Sequence, residues 1–514
     1  MKNSETTKLC CLQIQVNISV GKYIHTARMT RRTIAEDPNW SLALVPCLTH
    51  FCLKSVVKNF DVLSGNFSFD QLEPDQRAFV EKELSPSWPL HLTAHTVPDG
   101  VYWMRCCQLR WSLCDVSLYG ESWKRMFFER HLKEVIELFV PGSTDPTTLS
   151  ELILLCSDYV KKLEISQLLP PIKEPEDEDE DEDEDQDEVE EDGSDLELEN
   201  EEEKPCFHHL DFSILLDKLE NLEELHLKYA VKNCGMNFEW AMFQMTDQDC
   251  KNLAKALESC KTLKVFKLRD SHVNDRQCRQ LVKALLDHPS LRELDLAYNV
   301  IGDSGARAIC KLLLSTNSKL ETLNLCFNKI TCQGAKPIAH ALSKNSTLLS
   351  INMRLNHLGD EGGQAFGKAL LKNKTLLELN LGSTGLTSPT ALTLSEALEQ
   401  NTTLRKINLS CNKLGEGGQA FGKTLLNNKT LLELDLGATG LTTSTASPLS
   451  DALEHNTTLR KINLSCNKLG QVGGKALECA MAKNSSIIEC DLQMTEVDQK
   501  FLSCINRKVI HNQI

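Results

Sequence analysis

Apolar residues recur along the second half of the 514-residue chain in a short pattern, Leu-x-x-Leu-x-Leu, often followed by x-x-Asn. The pattern begins at Leu222, Leu263, Leu291, Leu320, Leu348, Leu376, Leu404, Leu431, Leu459 and, with weaker matching, Ile487. Successive starts are 41, 28, 29, 28, 28, 28, 27, 28 and 28 residues apart. This period lies in the range of leucine-rich repeats, and its length favours units that pair one strand with one helix.

The residues within one unit support this interpretation. Leu294 and Leu296 alternate with polar residues, which predicts a short strand that turns both leucines inward. Residues 302–317 then show the apolar spacing of a helix, opened by small residues that we expect to let the helix approach the strand. Because one unit cannot bury its apolar face alone, stacked units are expected to build one continuous core.

A polar residue follows each strand where the chain turns. Its side chain can bond the backbone of neighbouring units, so we expect a ladder of hydrogen bonds between them. The position is Asn at 299, 328, 356, 412 and 467, Thr at 384, 439 and 495, and Ser at 271. A further set of Asn residues, each in an Asn-x-Ser/Thr sequence, marks the end of the predicted helices: Asn345, Asn373, Asn401, Asn428 and Asn456.

Two units have been copied together. Residues 363–388 recur as 418–443 with few changes, and residues 404–415 recur as 459–470. Both offsets are 55 residues, which is the length of two units.

The charge is unevenly distributed. The net charge is -16, but residues 174–203 contain 22 Asp or Glu among 30 positions, and the remainder holds 50 acidic and 56 basic residues. Without those 30 residues, the spacing between a strand pattern at 160–165 and Leu222 is close to one repeat. We therefore predict that 174–203 is a disordered insertion within the first unit, whose helix would come from 207–222, and that its deletion leaves the fold intact.

We expect three segments: a poorly ordered N-terminus over 1–29, an α-helical domain over 30–157, and a solenoid over 158–514. Residues 123–139 have the spacing of an amphipathic helix, and Asp145-Pro146 opens the next one. The fold class is therefore α/β: a leucine-rich-repeat horseshoe of about eleven ribonuclease-inhibitor-like strand–helix units, with the helical domain as an N-terminal cap. No apolar run has the length of a membrane span, and we expect no secretory signal.

Residues that resemble chemical motifs have simpler explanations. Residues 417–424 match the phosphate-binding loop pattern, but the copy at 362–369 ends in Ala369, so we attribute the glycines to close helix–strand packing. Cys106, Cys107, Cys114 and His131 lack zinc-site spacing. We interpret Cys326, Cys411 and Cys466 as one repeated structural position. We expect no catalytic residues, no cofactor, no metal, no small-molecule substrate and no nucleic-acid partner.

The strand residues that flank the inward leucines form the candidate protein-binding face. Adjacent parallel strands would place 378, 406, 433, 461 and 489 side by side, where they read Glu, Lys, Glu, Lys, Glu. This row is either a structural charge ladder or a binding surface, and the two are compatible. The candidate contacts are Glu293, Asp295, Asn324, Asn352, Arg354, Glu378, Asn380, Lys406, Asn408, Glu433, Asp435, Lys461 and Asn463. Arg354 departs from the small polar pattern and is the strongest single candidate.

Four segments resemble a known family. They are WKRMFFERHL (123–132), STDP (143–146), CGMNFEW (234–240) and LLDHPSLRELDL (285–296). They are similar to the T-complex-associated testis-expressed 1 family, the leucine-rich-repeat subunits of the nexin–dynein regulatory complex, from about residue 30 to the end. The acidic run and the 55-residue duplication depart from the pattern expected of that family.

The resemblance implies a non-catalytic scaffold in the axoneme, the cytoskeletal core of cilia and sperm flagella, where the complex regulates motility. The expected location is therefore cytoplasmic and axonemal. The implied partners are other subunits of the complex and, indirectly, doublet microtubules, with no membrane. Two alternatives remain open: a GTPase-activating protein of the Ran-activator type, and a ribonuclease-inhibitor-like or ubiquitin-ligase adaptor protein.

Overall fold

The computed structural model describes residues 30–31, 45–46, 48–63, 68–170, 208–237 and 240–513. The chain forms two compact units, Met1–His131 and Leu132–Ile514. The segments predicted to be disordered, 1–29 and 174–203, lie outside the described residues. The domain boundary that we predicted near 157 remains a prediction.

The first unit is built from short helices around an aromatic core. Trp103 is fully buried, and its ring centroid lies 5.1 Å from those of Tyr102, Phe127 and Phe128. The helices are α1 (Leu48–Lys58), α2 (Phe60–Leu63), α3 (Pro74–Glu83), α4 (Leu90–Thr93), α5 (Val101–Arg110) and α6 (Trp123–Glu137), which continues into the second unit. A two-residue antiparallel pair, β1 (Thr30–Arg31) with β2 (Val45–Pro46), was not expected in an all-helical segment.

The second unit contains a parallel sheet of eleven strands in sequential order, which confirms the predicted architecture and number of units. Every strand pairs with the strands of its neighbouring units. The strands are β3 (Lys162–Ile165), β4 (Glu224–Leu227), β5 (Val265–Leu268), β6 (Glu293–Asp295), β7 (Thr322–Asn324), β8 (Ser350–Asn352), β9 (Glu378–Asn380), β10 (Lys406–Asn408), β11 (Glu433–Asp435), β12 (Lys461–Asn463) and β13 (Glu489–Asp491).

Helices alternate with these strands and pack against the helices of the next units. They are α7 (Pro146–Cys156), α8 (Ser213–Leu216), α9 (Asp247–Ser259), α10 (Asp275–Leu285), α11 (Asp303–Leu314), α12 (Cys332–Leu342), α13 (Gly359–Leu370), α14 (Ser388–Gln400), α15 (Ala420–Asn427), α16 (Thr443–His455), α17 (Gly470–Lys483) and α18 (Gln499–Gln513). The helix start predicted at Asp145-Pro146 is confirmed, since Asp145 accepts a hydrogen bond from Thr147 N, and Thr246 likewise caps α9 by accepting from Asp249 N.

The unit that contains the acidic run is also found. β3 pairs with β4 in parallel, with Lys162 opposite Glu224, although 58 residues separate the two strands in sequence. The strand predicted at 160–165 is thus confirmed as the first of the sheet. The helix expected over 207–222 is much shorter, because the described residues form only the single turn α8.

Buried asparagines connect successive units, as the ladder prediction required. Asn299 Nδ2 donates to Leu268 O of the preceding unit at 2.8 Å, and Asn299 Oδ1 accepts from Val273 N at 3.0 Å. Asn467 repeats both bonds with Leu436 O at 2.8 Å and Leu441 N at 2.9 Å. Each such residue satisfies buried backbone groups that strands of three or four residues leave unpaired.

The asparagines at the helix ends form a second ladder. Asn373 Nδ2 donates to Leu342 O at 2.8 Å, and Asn401 Nδ2 donates to Leu370 O at the same distance. The Oδ1 atoms accept from backbone N–H groups two and three residues later, as in Thr403 N and Leu404 N. Both amides are about 2% exposed, so these Asn-x-Thr sequences serve packing in the folded chain.

The glycines that open the helices allow neighbouring helices to approach, which corrects the helix–strand explanation. A Cβ on Gly305 would lie 2.8 Å from Asp275 Oδ1, in the helix of the preceding unit. A Cβ on Gly422 would lie 2.6 Å from Pro448 O, in the helix of the following unit. Contacts this short do not tolerate a methyl group, so the repeat requires glycine there.

Candidate functional site

Polar side chains from strands β8 to β13 line a groove of about 470 Å³, which we call the sheet groove. The alternation of each strand explains its chemistry, because central residues such as Leu379 and Ile407 are buried while the residues on either side face out. The groove is lined by residues 350–352, 378–380, 406–408, 433–435 and 461–463 together with Glu489 and Asp491.

The alternating charges lie next to each other, as their register predicted. Lys406 pairs in the sheet with both Glu378 and Glu433, and its Nζ lies 3.1 Å and 3.7 Å from their carboxylate oxygens. Lys461 Nζ lies 2.8 Å from Glu489 Oε2. The hydrogen bond to Glu378 and the charges of Glu378 and Glu433 raise the pKa of Lys406. These pairs are exposed, so they contribute little to folding and remain accessible to a partner.

The second polar position of each strand has a structural role that the sequence analysis missed. Asn380 Oδ1 accepts from Gly382 N at 3.0 Å, and Asp435 Oδ1 accepts from Gly437 N at 2.9 Å. The same bond to the backbone two residues later is made by Asn324, Asn352, Asn408 and Asn463. The recurrence of Asn or Asp directly before the last inward residue was the available signal.

Asp435 lies in a more enclosed environment than the charges around it. Burial raises its pKa, although the backbone N–H of Gly437, the Asn463 side chain and the charge of Arg354 each act in the opposite direction. Burial therefore still disfavours the charged form of the Asp435 carboxylate, and a cationic group of a partner would stabilise that charge.

Of the two candidates on β6, one is enclosed. Glu293 is half-buried and pairs with Lys267 Nζ at 2.7 Å. Asp295 is about 2% exposed, and its carboxylate accepts from Arg269 Nε at 2.9 Å and from Asn324 Nδ2 at 2.9 Å. A partner approaching this end of the sheet would meet the Arg269 guanidinium before Asp295.

Arg354 lies in the turn that follows β8 and is exposed. Among the described residues its guanidinium makes no ion pair. Its positive charge lowers the pKa values of Cys326 and Asp435, although burial of each group has the larger and opposite effect. Arg354 is thus a free cation beside both the turn after β7 and the sheet groove.

The three cysteines assigned to one position occupy two positions. Cys411 and Cys466 lie directly before the ladder asparagines, in the left-handed backbone conformation (φ 57° and 56°), and are exposed. Cys326 lies one position earlier and is buried. The residue equivalent to Cys411 in that unit is Phe327, which is 53% exposed. The prediction of one shared position is therefore wrong for Cys326 by one residue.

The residues that match the phosphate-binding loop pattern, 417–424, are packed against a neighbouring helix. Thr424 is fully buried, and its Oγ1 lies 2.6 Å from Ser395 Oγ in the neighbouring helix. A Cβ on Gly417 would lie 2.7 Å from the Ser388 backbone. This segment therefore packs against the preceding unit rather than lining a pocket that could hold phosphates.

Two of the cysteines considered as zinc ligands, Cys106 and Cys107, are buried. Burial raises the pKa of the Cys107 thiol to about 12 and that of the Cys106 thiol to about 11, so both remain protonated at neutral pH. Across the described part of the chain, no three His, Cys, Asp or Glu side chains are grouped as metal ligands would be. None of the helices that the structure describes is long and apolar enough to span a membrane.

The strand–helix units, the two asparagine ladders and the open parallel sheet define a leucine-rich-repeat fold. The family model described as Leucine Rich repeat matches residues 287–310, 316–339, 344–367, 400–422 and 455–477. In sequence, the chain is 45% identical over 247 residues to the human protein named Dynein regulatory complex subunit 5. The matched region covers 48% of this chain and 47% of the human protein.

More distant relatives extend the same similarity. The Dynein regulatory complex subunit 5 of Chlamydomonas reinhardtii is 32% identical over 233 residues, covering 45% of this chain and 49% of the relative. The chain thus spans about half the length of the curated relatives it matches, and the resemblance found in the sequence is confirmed to that extent. Among solved structures, an internalin from Listeria monocytogenes is similar over 57% of this chain and 80% of its own, with 17% identity and a TM-score of 0.33.

Proposed function

We propose that this chain is a non-catalytic scaffold subunit of the dynein regulatory complex, acting in the axoneme of motile cilia and flagella. The observation that carries the proposal is its 45% identity to human Dynein regulatory complex subunit 5 over 247 residues. The partners would be other subunits of the complex, and contact with doublet microtubules would be indirect.

The sheet groove supports a role in protein binding. Its charged row alternates in sign, so its side chains offer both donors and acceptors without a strong net field. Such a surface fits a polypeptide that carries charges of both signs, and it disfavours nucleic acid, whose backbone is uniformly negative. The rigid ladder of buried asparagines would hold these groups in fixed positions.

Localisation tests the proposal directly. A tagged full-length chain expressed in cells with motile cilia should be found along the axoneme and should co-precipitate with other subunits of the complex. A chain in which leucines 379 and 434 of the core are replaced by aspartate provides the unfolded control. Uniform cytosolic distribution of the intact chain, with no associated subunits, would refute the proposal.

The groove can be tested separately. Replacing Lys406 and Lys461 with glutamate makes all five charges of the row negative, and we expect this variant to lose most of the co-precipitated subunits. The control is Lys423→Glu, which changes a more exposed lysine that pairs with Glu399 on a neighbouring helix, outside the groove. Equal recovery of subunits with both variants would show that partners bind elsewhere. A GTP hydrolysis assay with candidate GTPases tests the alternative of a GTPase-activating protein. That alternative requires the chain to increase the rate of GTP hydrolysis.

A further inference from the structure

Two aromatic side chains stand exposed in consecutive turns at the ends of β6 and β7. Tyr298 is 49% exposed and Phe327 is 53% exposed, and their ring centroids lie 5.3 Å apart with an angle of 30° between the planes. Both residues adopt the left-handed conformation, with φ of 59° and 55°. That conformation costs a residue with a side chain about 1–2 kcal/mol.

Aromatic residues stand at this position only in these two of the described units. Four other units carry small residues there, Ser383, Cys411, Ala438 and Cys466, while the remaining described equivalents are Asp270, Leu355 and Met494, and all have a positive φ. The rings of Tyr298 and Phe327 are half exposed, so burial within the chain offsets little of the backbone cost. Because the left-handed turn is shared by the other units, the feature that distinguishes this place is the pair of exposed, neighbouring rings, and exposed apolar surface is typical of a contact site for another molecule.

The turn of the next unit supplies a free positive charge. Phe327 N donates to Arg354 O at 2.9 Å, which places Arg354 directly beside the aromatic pair. The Arg354 guanidinium makes no ion pair among the described residues, whereas Arg269 on the other side of the pair is held by Asp295. A planar guanidinium with its donors free is suited to bind a carboxylate through two hydrogen bonds.

The surrounding turns reinforce the positive charge. In three units the residue after the ladder position is a lysine, and within the described residues these side chains are exposed and form no ion pair: Lys329, Lys413 and Lys468. Lys329 lies in the same unit as Phe327, and Lys413 and Lys468 extend the positive charge along the following turns, so an anionic partner is attracted to this edge of the sheet.

From these observations we propose that Tyr298, Phe327 and Arg354, here called the turn site, bind an acidic polypeptide segment that carries an apolar side chain. The apolar side chain packs on the paired rings, and a neighbouring carboxylate binds the Arg354 guanidinium. The carboxylates of Glu293 and Glu378 on nearby strands disfavour a nucleic-acid strand, which would bring a phosphate at every step. The turn site is distinct from the sheet groove, and its proposal stands without the proposed complex.

The experiment is a fluorescence-anisotropy titration of the full chain with a labelled glutamate-rich peptide that contains one central leucine. Tyr298→Ser combined with Phe327→Ser should weaken binding about tenfold or more, and Arg354→Ser alone should weaken it by a similar factor. Serine is found at this turn in Ser383, so the variants should keep the melting temperature of the parent chain. If the double variant unfolds, Arg354→Ser decides the question.

Two controls separate the turn site from general attraction. Met494→Ser removes an exposed apolar side chain from the same turn position in the last unit and should leave binding unchanged. A peptide with glutamine in place of glutamate should bind at least tenfold more weakly, and added salt should weaken binding of the acidic peptide. The proposal is overturned if the turn-site variants bind within about twofold of the parent, if Met494→Ser weakens binding equally, or if a single-stranded oligonucleotide binds more tightly than the peptide.

Discussion

The two copies of the 55-residue duplication begin their helices differently. In the first copy, Leu358 is followed by an α-helix, α13, and Gly362 N donates to Leu358 O four residues back at 3.3 Å. In the second copy, the chain forms a 3₁₀-helix over Gly415–Gln419 before α15, and Gly417 N donates to Leu414 O three residues back at 3.0 Å. The two copies have therefore adopted different helical geometries at the same place in the repeat.

A single missing residue explains the difference. The first copy reads Leu-Gly-Asp-Glu-Gly-Gly from Leu358, whereas the second reads Leu-Gly-Glu-Gly-Gly from Leu414, without a counterpart of Asp360. A 3₁₀-helix rises about 2.0 Å per residue against about 1.5 Å in an α-helix, so fewer residues span the same distance. The unit of 27 residues thus keeps its strand in register, because the helix absorbs the deletion.

The deletion also removes an anchor between units. Asp360 accepts from Thr387 N at 2.8 Å and from Thr390 Oγ1 at 2.5 Å, both in the following unit. In the second copy Glu416 replaces it with more exposed bonds, from Thr442 Oγ1 at 3.1 Å and Ser444 Oγ at 2.9 Å. The carboxylate remains at the second interface, but it no longer contacts the backbone there.

The largest expected effect comes from removing these two carboxylates. Asp360→Ala should lower the free energy of unfolding by about 2–3 kcal/mol, because it removes charge-assisted bonds and leaves a backbone N–H unpaired. Glu416→Ala should lower it by less than about 1 kcal/mol, because its bonds are exposed. Urea unfolding followed by circular dichroism measures both. Equal losses would show that the second copy has recovered the anchor in full.

The Asp360 contribution should depend on pH. Burial would raise the pKa of Asp360, but the side-chain and backbone hydrogen bonds of Thr387 and Thr390 outweigh burial and lower it. A carboxyl group with a lowered folded pKa stabilises the fold above its unfolded pKa, near 3.9, and this contribution disappears as the pH falls through the folded value. The stability gap between the parent and Asp360→Ala should therefore be constant near neutral pH and close in acid.

The second largest effect is expected from replacing a helix glycine, Gly422 in the second copy or its counterpart Gly367 in the first. A Cβ on Gly422 would lie 2.6 Å from the Pro448 carbonyl oxygen, whereas a Cβ on Gly367, its counterpart, would lie 2.9 Å from the Thr393 methyl group. A side chain can move more easily than the backbone. Gly422→Ala should lower the free energy of unfolding by about 2 kcal/mol, and Gly367→Ala by less than about 1 kcal/mol after the gain in helix propensity. A larger loss for Gly367→Ala would contradict this account.

The comparison shows where sequence reasoning succeeds and where it stops. The strands were predictable because Leu294 and its counterparts repeat at a fixed period. The two-residue alternation of apolar and polar residues also shows which side chains of each strand face the core. The charge row followed from that register. The change to a 3₁₀-helix was not recognised from the spacing of 27, because one deleted residue can be absorbed by a strand, a turn or a helix. The exposed rings of Tyr298 and Phe327 were missed because an apolar residue beside a leucine pattern is expected in the core.

The third effect concerns the residue that completes the phosphate-loop pattern. Thr424 Oγ1 lies 2.6 Å from Ser395 Oγ, and Ala369 occupies the equivalent position in the first copy. Because Ser395 also bonds Ala420 O at 2.7 Å, Thr424→Ala leaves Ser395 satisfied and should cost about 1 kcal/mol in the free energy of unfolding. Thermal unfolding with and without added ATP and Mg²⁺ measures the loss. Stabilisation by the nucleotide in the parent, absent in the variant, would instead indicate a nucleotide site.

The smallest effect on stability comes from restoring the missing residue. Inserting an aspartate between Gly415 and Glu416 should convert the 3₁₀ segment to an α-helix, because the preceding turn is the same in both copies: Gly359 N donates to Thr384 O and Gly415 N to Thr439 O. We expect a change of less than about 1 kcal/mol in the free energy of unfolding, since strain in the new turn opposes the better hydrogen-bond geometry.

Hydrogen exchange is the sensitive measurement of the insertion variant. Amides of residues 416–419 should exchange more slowly in the insertion variant, towards the rates of residues 361–364. Unchanged exchange would mean that contacts with Ser388 and Leu441, which lie within 3 Å of a Cβ on Gly417 or Gly418, impose the 3₁₀ geometry regardless of length.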